Sequence, residues 1–373
     1  MKVRSAVLRE MGLPRPYAQS RPLEIVELEL DDPGPGEVLI RVRAAGLCHS
    51  DLSVINGSRP REMPMALGHE AAGEVVACGE DVTRVRPGDH AVLVFVPSCG
   101  ACDPCLQGRA ALCEPAAAAN TAGTLLSGER RLTDAGGDDV HHHLGVSAFS
   151  DHVVVAEESV VAIDEALPFE IAALFGCAVI TGVGAALHAA TIAPGDKVAV
   201  FGLGGVGLAA LLGARFAGAE VVGIDVVPSK LELARELGAF AAVPAGPEAV
   251  AEVRRLTDGG AHVAIETAGH ELVLADAYAA TRRGGTTVTV GLPHPSKQLS
   301  IPAVSLVAEE RTLRGSYLGS GVPAEDVPRM IALYQQGRLP VDRLLSTCLP
   351  LEDINEGFDR LASGEAIRQA IVF

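Results

Sequence analysis

The sequence predicts an α/β protein, with a doubly wound parallel sheet behind a β-rich half. The stretch KVAVFGLGGVGLAALLGARFAGAEVVGID (197–225) reads as strand, glycine turn, helix, strand and acid. Further apolar runs alternate with helical stretches after it, as successive βα units do. Before about residue 96, short strand-like runs are broken by proline and glycine, as in DDPGPG (31–36) and RPGD (86–89).

Each part of 197–225 suits a dinucleotide. The apolar run 198–201 fits a buried parallel strand. Gly202 allows the tight turn, Gly204 lets backbone N–H groups approach a pyrophosphate, and Gly207 lets the helix pack on the strand. Gly205 and Val206 open that helix, whose N-terminus favours phosphate charge. Asp225 ends the second strand, where a carboxylate accepts both ribose hydroxyls and repels a 2′-phosphate, so NAD is expected. One rival is a membrane span, because 198–214 carries no charge. That run falls short of the roughly 20 residues needed to cross and is rich in glycine. A ligand-free βαβ unit is the other rival; the acid in register with the turn argues against it.

Composition bounds the rest. With 373 residues the chain exceeds one ordinary core, so two domains are expected. Hydrophobic residues make up 48% and charged residues 21%, a globular balance. A net charge of −17 would repel nucleic acid and anionic membrane surfaces, so neither is an expected partner. MKVRSAVLRE has no apolar run after its charges, which speaks against a signal peptide and for a cytoplasmic, reducing setting. There the eight cysteines are expected to be metal ligands or catalytic groups.

In chain order, strands are expected at 23–30, 38–44, 74–76 and 91–96. The glycine- and charge-rich stretch 123–139 reads as a surface excursion, and His141, His142 and His143 as a polar loop. SKLELARELG (229–238) reads as a helix capped by Ser229 and stopped by Gly238. Strands at 263–266, 286–291 and 312–317 and helices at 272–282 and 324–336 complete the sheet-bearing half. Beyond about 337 the chain is expected to return to the first half. Cys78 and Cys348 read as small buried hydrophobes.

Two constellations carry metal chemistry. Cys99, Cys102, Cys105 and Cys113 give C-x2-C-x2-C-x7-C, which suits a closed tetrahedral structural zinc. An iron–sulfur cluster is the rival, but the spacings differ from the common ferredoxin runs. Cys48, His69 and Cys177 would make a three-ligand zinc with one open position. From spacing alone this is weak, because a lone histidine is more often a core or surface residue. The neighbouring coenzyme motif raises it. A Lewis acid beside a nicotinamide would polarise an alcohol oxygen and help hydride leave its carbon.

These motifs together resemble the zinc-dependent medium-chain alcohol dehydrogenases over nearly the whole chain. The carriers are GLCHSD (46–51), LGHEAAGEV (67–75), CGACDPC with Cys113, FGLGGVG (201–207) with Asp225, INEGFDRL (354–361) and the ending IRQAIVF. The stretch 123–150, including HLGVSAFS, is similar to the longer-chain dimeric members, so a homodimer is expected. The resemblance implies a Rossmann coenzyme domain at 179–320 and a GroES-like catalytic domain at 1–178 and 321–373, with the active cleft at their junction. It implies two zinc ions per chain. The catalytic ligands fall on Cys48, His69 and Cys177, with Glu70 as the nearby acid, Asp51 as the carboxylate orienting His69, and Ser50 as the hydroxyl taking the alcohol proton. The four-cysteine run matches the structural zinc. His49 and Arg368 match pyrophosphate contacts, Lys230 a residue near the adenosine ribose, and Thr181 a side chain against the nicotinamide. Phe95, Leu144, Leu292 and Tyr317 match pocket positions, with Leu292 also beside the coenzyme. Ser53 stands where better-known members often carry a relay histidine, so no relay group is expected to titrate in the histidine range.

The leading expectation is therefore an NAD-dependent zinc alcohol dehydrogenase acting on a small alcohol or aldehyde. A second reading is a thiol-dependent formaldehyde dehydrogenase of the same fold, supported by GCAVITGVGAA (176–186) and LYQQGRLP (333–340). The lack of Lys or Arg at 114–129 leans against glutathione as its thiol. A third, of another class, is a non-catalytic NAD-binding redox sensor, whose mark would be a missing zinc ligand or a missing Ser50.

Overall fold

The computed structural model describes residues 1–373, which divide into two compact units. One holds 1–177, 322–331 and 345–373; the other holds 178–321 and 332–344. Residues 332–344 thus stay with the second unit, where the expectation gave everything beyond 320 to the first. Their packing explains it. Leu339, Val341 and Leu344 are fully buried, the Arg338 guanidinium lies 4.5 Å over the Phe216 ring, and Arg343 Nη2 donates to Glu236 Oε2 at 2.6 Å.

The first unit is β-rich. Strands Lys2–Leu8, Leu23–Leu30, Leu132–Thr133, Asp139–His142 and Met65–Ala66 close into a barrel. A second, seven-stranded sheet is built around Glu37–Gly46, which pairs with Ala71–Cys78 and His152–Ala156. The C-terminal strand Arg368–Val372 also runs antiparallel to Glu37–Gly46, with Ala370 opposite Gly46. That pairing carries the last residues of the chain back to the segment that begins at Leu47.

The second unit is a six-stranded sheet in the spatial order Ala241–Pro244, Glu220–Asp225, Lys197–Phe201, Ala261–Glu266, Thr281–Thr289 and Thr312–Gly315. Every pairing is parallel. Helices such as Gly205–Phe216 and Glu271–Ala280 link the strands, giving the doubly wound Rossmann order. The direction of winding reverses between Lys197–Phe201 and Ala261–Glu266, the place where such sheets bind ligands. No single helix is long and apolar enough to cross a membrane.

Several local expectations are corrected. The helix expected at 229–238 is Pro228–Glu236, with Val227 as its cap and Pro228 at its first turn, a position where a missing N–H costs nothing. Ser229 therefore lies inside it. Cys348 is exposed and Cys78 half-buried, so neither is a buried hydrophobe. The largest departure is 123–143. It contributes two barrel strands, and His142 and His143 are buried rather than in a polar loop. His142 tolerates this because both ring nitrogens are partnered. Nε2 accepts the Arg131 N–H at 3.1 Å, and Nδ1 lies 3.2 Å from Ser147 Oγ.

Burial pushes His142 down to about 3 from an ordinary 6.5, so the folded chain keeps it neutral. The unfolded chain takes up a proton below 6.5 that the folded chain refuses. The stability contribution is complete above 6.5 and is lost as pH falls towards 3. Between pH 7 and 5.5 the wild type should lose about 1 kcal/mol more stability than His142→Gln. Denaturant unfolding at the two pH values checks this, and equal losses would refute it.

Candidate active site

The centre in the first unit starts from a strand that ends and a helix that begins. Glu37–Gly46 delivers Leu47 and Cys48, and the helix His49–Ile55 follows. Asp51, in its first turn, accepts the Cys48 backbone N–H on Oδ2 at 3.3 Å. A carboxylate at that position suits the helix dipole. Asp51 Oδ1 reaches a second segment, accepting the Gly68 N–H at 3.2 Å and lying 3.0 Å from His69 Nδ1. Gly68 has φ +94, and a Cβ there would collide with the Phe149 backbone. Only glycine lets this segment turn so that His69 meets Asp51.

A carboxylate at Nδ1 fixes the His69 tautomer and leaves Nε2 as the lone-pair nitrogen. Nε2 is buried and has no partner within the chain. Cys177, at the break between Ala173–Gly176 and Ala178–Gly184, supplies the third group. The ligand atoms of Cys48, His69 and Cys177 all lie within 4.8 Å of one another, and all three residues are buried. A tetrahedral zinc with arms of roughly 2.0–2.3 Å sets its ligand atoms about 3.5–3.8 Å apart. Two sulfurs, one free imidazole nitrogen and that spacing fit a zinc ion. The thiols already share charge. Cys48 is held well below the usual thiol range, chiefly by its hydrogen bond with Cys177. Cys177 is pushed well above it by the same bond and by burial.

Glu70 is fully buried beside this group, and burial pushes its carboxyl up to about 7. Arg368 opposes that shift, with Nη1 at 2.7 Å from Glu70 Oε1 and donating also to the Leu47 carbonyl at 3.2 Å. Glu70 Oε2 has no partner. Ser50 is half-buried and His49 exposed on the same helix. Ser53 Oγ donates to the His49 carbonyl at 2.8 Å. Phe95 is buried, its ring edge-on to His69 with centroids 5.2 Å apart.

His143 is the residue that reading the sequence missed. Its ring stands at 87° to that of His69, with centroids 5.6 Å apart. Its Nδ1 is 3.1 Å from Asp51 Oδ1, but off the line of a well-formed hydrogen bond. One carboxylate oxygen therefore faces two imidazoles. The sequence signal was present in HHHLG, but three consecutive polar residues read as loop.

The second cluster is Cys99, Cys102, Cys105 and Cys113, whose sulfurs also lie within 4.8 Å of one another. Four thiols and no other donor suit a closed structural zinc. A hydrogen bond from the Cys105 backbone lowers Cys102 to about 7, whereas burial pushes Cys105 up to about 12. Such a mixed set releases protons when a metal binds.

In the second unit the glycine turn has the geometry a phosphate cradle needs. Gly202 has φ +90, and a Cβ on Gly207 would overlap the Gly202 carbonyl oxygen. Space around Gly204 is open, and the helix starting at Gly205 and Val206 follows it. Asp225 is buried, accepting the Leu203 N–H at 2.6 Å and the Val227 N–H at 2.8 Å. Each of its oxygens keeps a lone pair for a ribose hydroxyl. Lys230 is buried, Thr181 is half-buried, and Leu292 and Tyr317 are exposed.

Comparisons with known proteins agree with this chemistry. Residues 34–165 match the alcohol dehydrogenase GroES-like domain, and residues 205–336 the zinc-binding dehydrogenase domain. The NDMA-dependent alcohol dehydrogenase of Amycolatopsis methanolica is 40% identical over 100% of this chain and 99% of its own. The chain belongs to the zinc-dependent medium-chain alcohol dehydrogenase family. The S-(hydroxymethyl)glutathione dehydrogenase of Paracoccus denitrificans is 35% identical over 100% of both chains. Among solved structures, benzyl alcohol dehydrogenase from Acinetobacter calcoaceticus matches with a TM-score of 0.90 at 30% identity, over 100% of this chain and 99% of the other. Membership makes the protein an oxidoreductase acting on small-molecule alcohols, with zinc and a nicotinamide as its family's cofactors.

Asp51→Asn keeps the shape of the His69 partner but removes its charge. Zinc at Cys48, His69 and Cys177 should then be held about 10- to 100-fold more weakly, while the four-cysteine zinc is unaffected. Chelator competition with metal analysis measures both, and unchanged retention would refute the assignment.

Proposed function

We propose that the chain is a zinc- and NAD-dependent alcohol dehydrogenase that interconverts a small alcohol and its aldehyde or ketone. The observation that carries this is the group Cys48, His69 and Cys177, with its one buried nitrogen free of any partner in the chain. A zinc ion held there would act as a Lewis acid on the alcohol oxygen, easing loss of its proton. Asp51 holds His69 in the metal-binding tautomer. Ser50, next to His49 and two residues from Cys48, would take the alcohol proton. Ser53 is committed to the His49 carbonyl and is no base at neutral pH, so the proton would leave by another route. Arg368, kept charged against Glu70, would meet the coenzyme phosphates together with His49.

Asp225 supports NAD over NADP, because its buried carboxylate would face a 2′-phosphate with like charge. The thiol-dependent reading has support in the 35% identical hydroxymethylglutathione enzyme, and a different electron acceptor in the NDMA-dependent relative. A homodimer is supported by the open edge strand Thr312–Gly315 and by Val304 and Val307, 73% and 82% exposed on the helix Ala303–Ala308. A species of twice 38.5 kDa in light scattering would bear this out, and a monomer would refute it. A reducing, cytoplasmic setting is supported by two ligand sets that need reduced sulfur.

The test is a panel of alcohols and aldehydes with NAD(H) or NADP(H), with formaldehyde plus a low-molecular-weight thiol, and with NDMA added. Oxidation of alcohols with NAD at least ~100-fold more efficient than with NADP is expected. Asp225→Gly should reduce that preference about tenfold or more, roughly 1.4 kcal/mol. Formaldehyde turnover only with a thiol would select the second reading. No turnover with any alcohol would defeat the proposal.

A further inference from the structure

The crevice of a doubly wound sheet lies at the carboxyl ends of the two strands between which the winding reverses. Here those strands are Lys197–Phe201 and Ala261–Glu266. The glycine turn that follows the first strand forms one wall of the crevice. The segment 267–270, which follows the second, forms the other, and the two touch. Thr267 Oγ1 donates to the Gly202 carbonyl at 2.8 Å, and a Cβ on Gly202 would stand 3.0 Å from the Ala268 nitrogen.

Glu266, the last residue of its strand, is 1% exposed and is met by neutral donors. Oε1 accepts the Gly269 N–H at 2.6 Å, and Oε2 accepts the Thr289 hydroxyl at 2.8 Å. Burial pushes the carboxyl up, and the Thr289 hydroxyl and the amides of Gly269, His270 and Ala268 pull it back. Three successive amides thus turn towards one side chain. Thr289 ends the neighbouring strand, so the carboxylate ties the segment 267–270 to a second strand end. The segment after Thr289 closes on the same place. A Cβ on Gly291 would overlap the Gly269 nitrogen, and one on Gly269 would stand 3.1 Å from the Leu292 nitrogen. The sheet does not need this device. Its strand ends are already joined there by backbone, with the Val290 N–H donating to the Glu266 carbonyl at 2.9 Å. A carboxylate buried among neutral donors is costly, and what it adds is a fixed path for the turn.

We propose that Glu266 is a positioning residue for coenzyme binding: its carboxylate moulds 267–270 into the wall that faces the glycine turn across the dinucleotide. The inference rests on the NAD-dependent reading and adds a residue to it. A displacement of about 1 Å in such a wall is enough to loosen the ligand severalfold.

The experiment titrates NADH into the zinc-loaded full chain by its fluorescence, and NAD by calorimetry. Glu266→Leu, similar in size but without an acceptor, should raise both dissociation constants about fivefold or more. Glu266→Gln keeps an acceptor for the Gly269 N–H and can donate to the Thr289 hydroxyl, so it should stay within about threefold of wild type. A purely structural role would lower the denaturation midpoint of Glu266→Leu but leave the affinity of the folded protein intact. If Glu266→Leu does not fold, Thr289→Val, which frees one carboxylate oxygen, decides by a rise of about threefold or more in the same two constants. Smaller rises in the folded variant, or a loss beyond about threefold in Glu266→Gln, overturn the inference. Wild type that binds neither form of the coenzyme defeats the reading beneath it, whereas binding that Glu266→Leu leaves intact defeats this inference alone.

Discussion

Everything at the centre depends on one buried carboxylate. Asp51 accepts the Cys48 N–H from the start of a helix and the Gly68 N–H from a distant segment, and its Oδ1 lies 3.0 Å from His69 Nδ1. It thereby fixes the spacing of the two segments that carry Cys48 and His69, and the tautomer of the His69 imidazole. A carboxylate fully removed from water is expensive unless it is paired. Here burial pushes against its charge, but the neighbouring imidazoles hold it below the usual carboxylate range. The cost of burying Asp51 is offset by the pre-formed geometry around His69.

A second buried pair, Glu70 with Arg368, ties the C-terminal strand to the same region. The antiparallel register that places Ala370 opposite Gly46 makes it possible. Residues separated by about 300 positions meet because one sheet gathers them, so the last strand belongs to the centre as much as the first helix does. The coenzyme turn is more self-contained. Its acid, glycines and helix start are supplied by the single crossover 197–225, with Thr267 Oγ1 donating to the Gly202 carbonyl at 2.8 Å from the neighbouring strand end.

That difference explains what the sequence revealed. The glycine turn and Asp225 were legible from local spacing, since one βαβ unit contains the whole device. The four-cysteine run was legible for the same reason. Cys48, His69 and Cys177 are far apart in sequence, so spacing alone made them a weak group, which the neighbouring coenzyme motif and then the resemblance to a family strengthened. His142 and His143 were misread because barrel closure comes from long-range pairings such as Met65 with His141, which no local period reports. Ser229 looked like a cap, but Pro228 starts the helix one residue earlier. Residues 332–344 went to the wrong unit because Leu339, Val341 and Leu344 find their core by contacts that sequence order hides.

The central claim is that two sulfurs and the Asp51-oriented imidazole hold a zinc ion. Anomalous scattering from crystals, collected either side of the zinc absorption edge, tests it directly. The account predicts two zinc peaks per chain, one about 2.0–2.3 Å from Cys48 Sγ, His69 Nε2 and Cys177 Sγ, the other among Cys99, Cys102, Cys105 and Cys113. A peak bound instead by Asp51 and His143, or none at the first position in active protein, would contradict it.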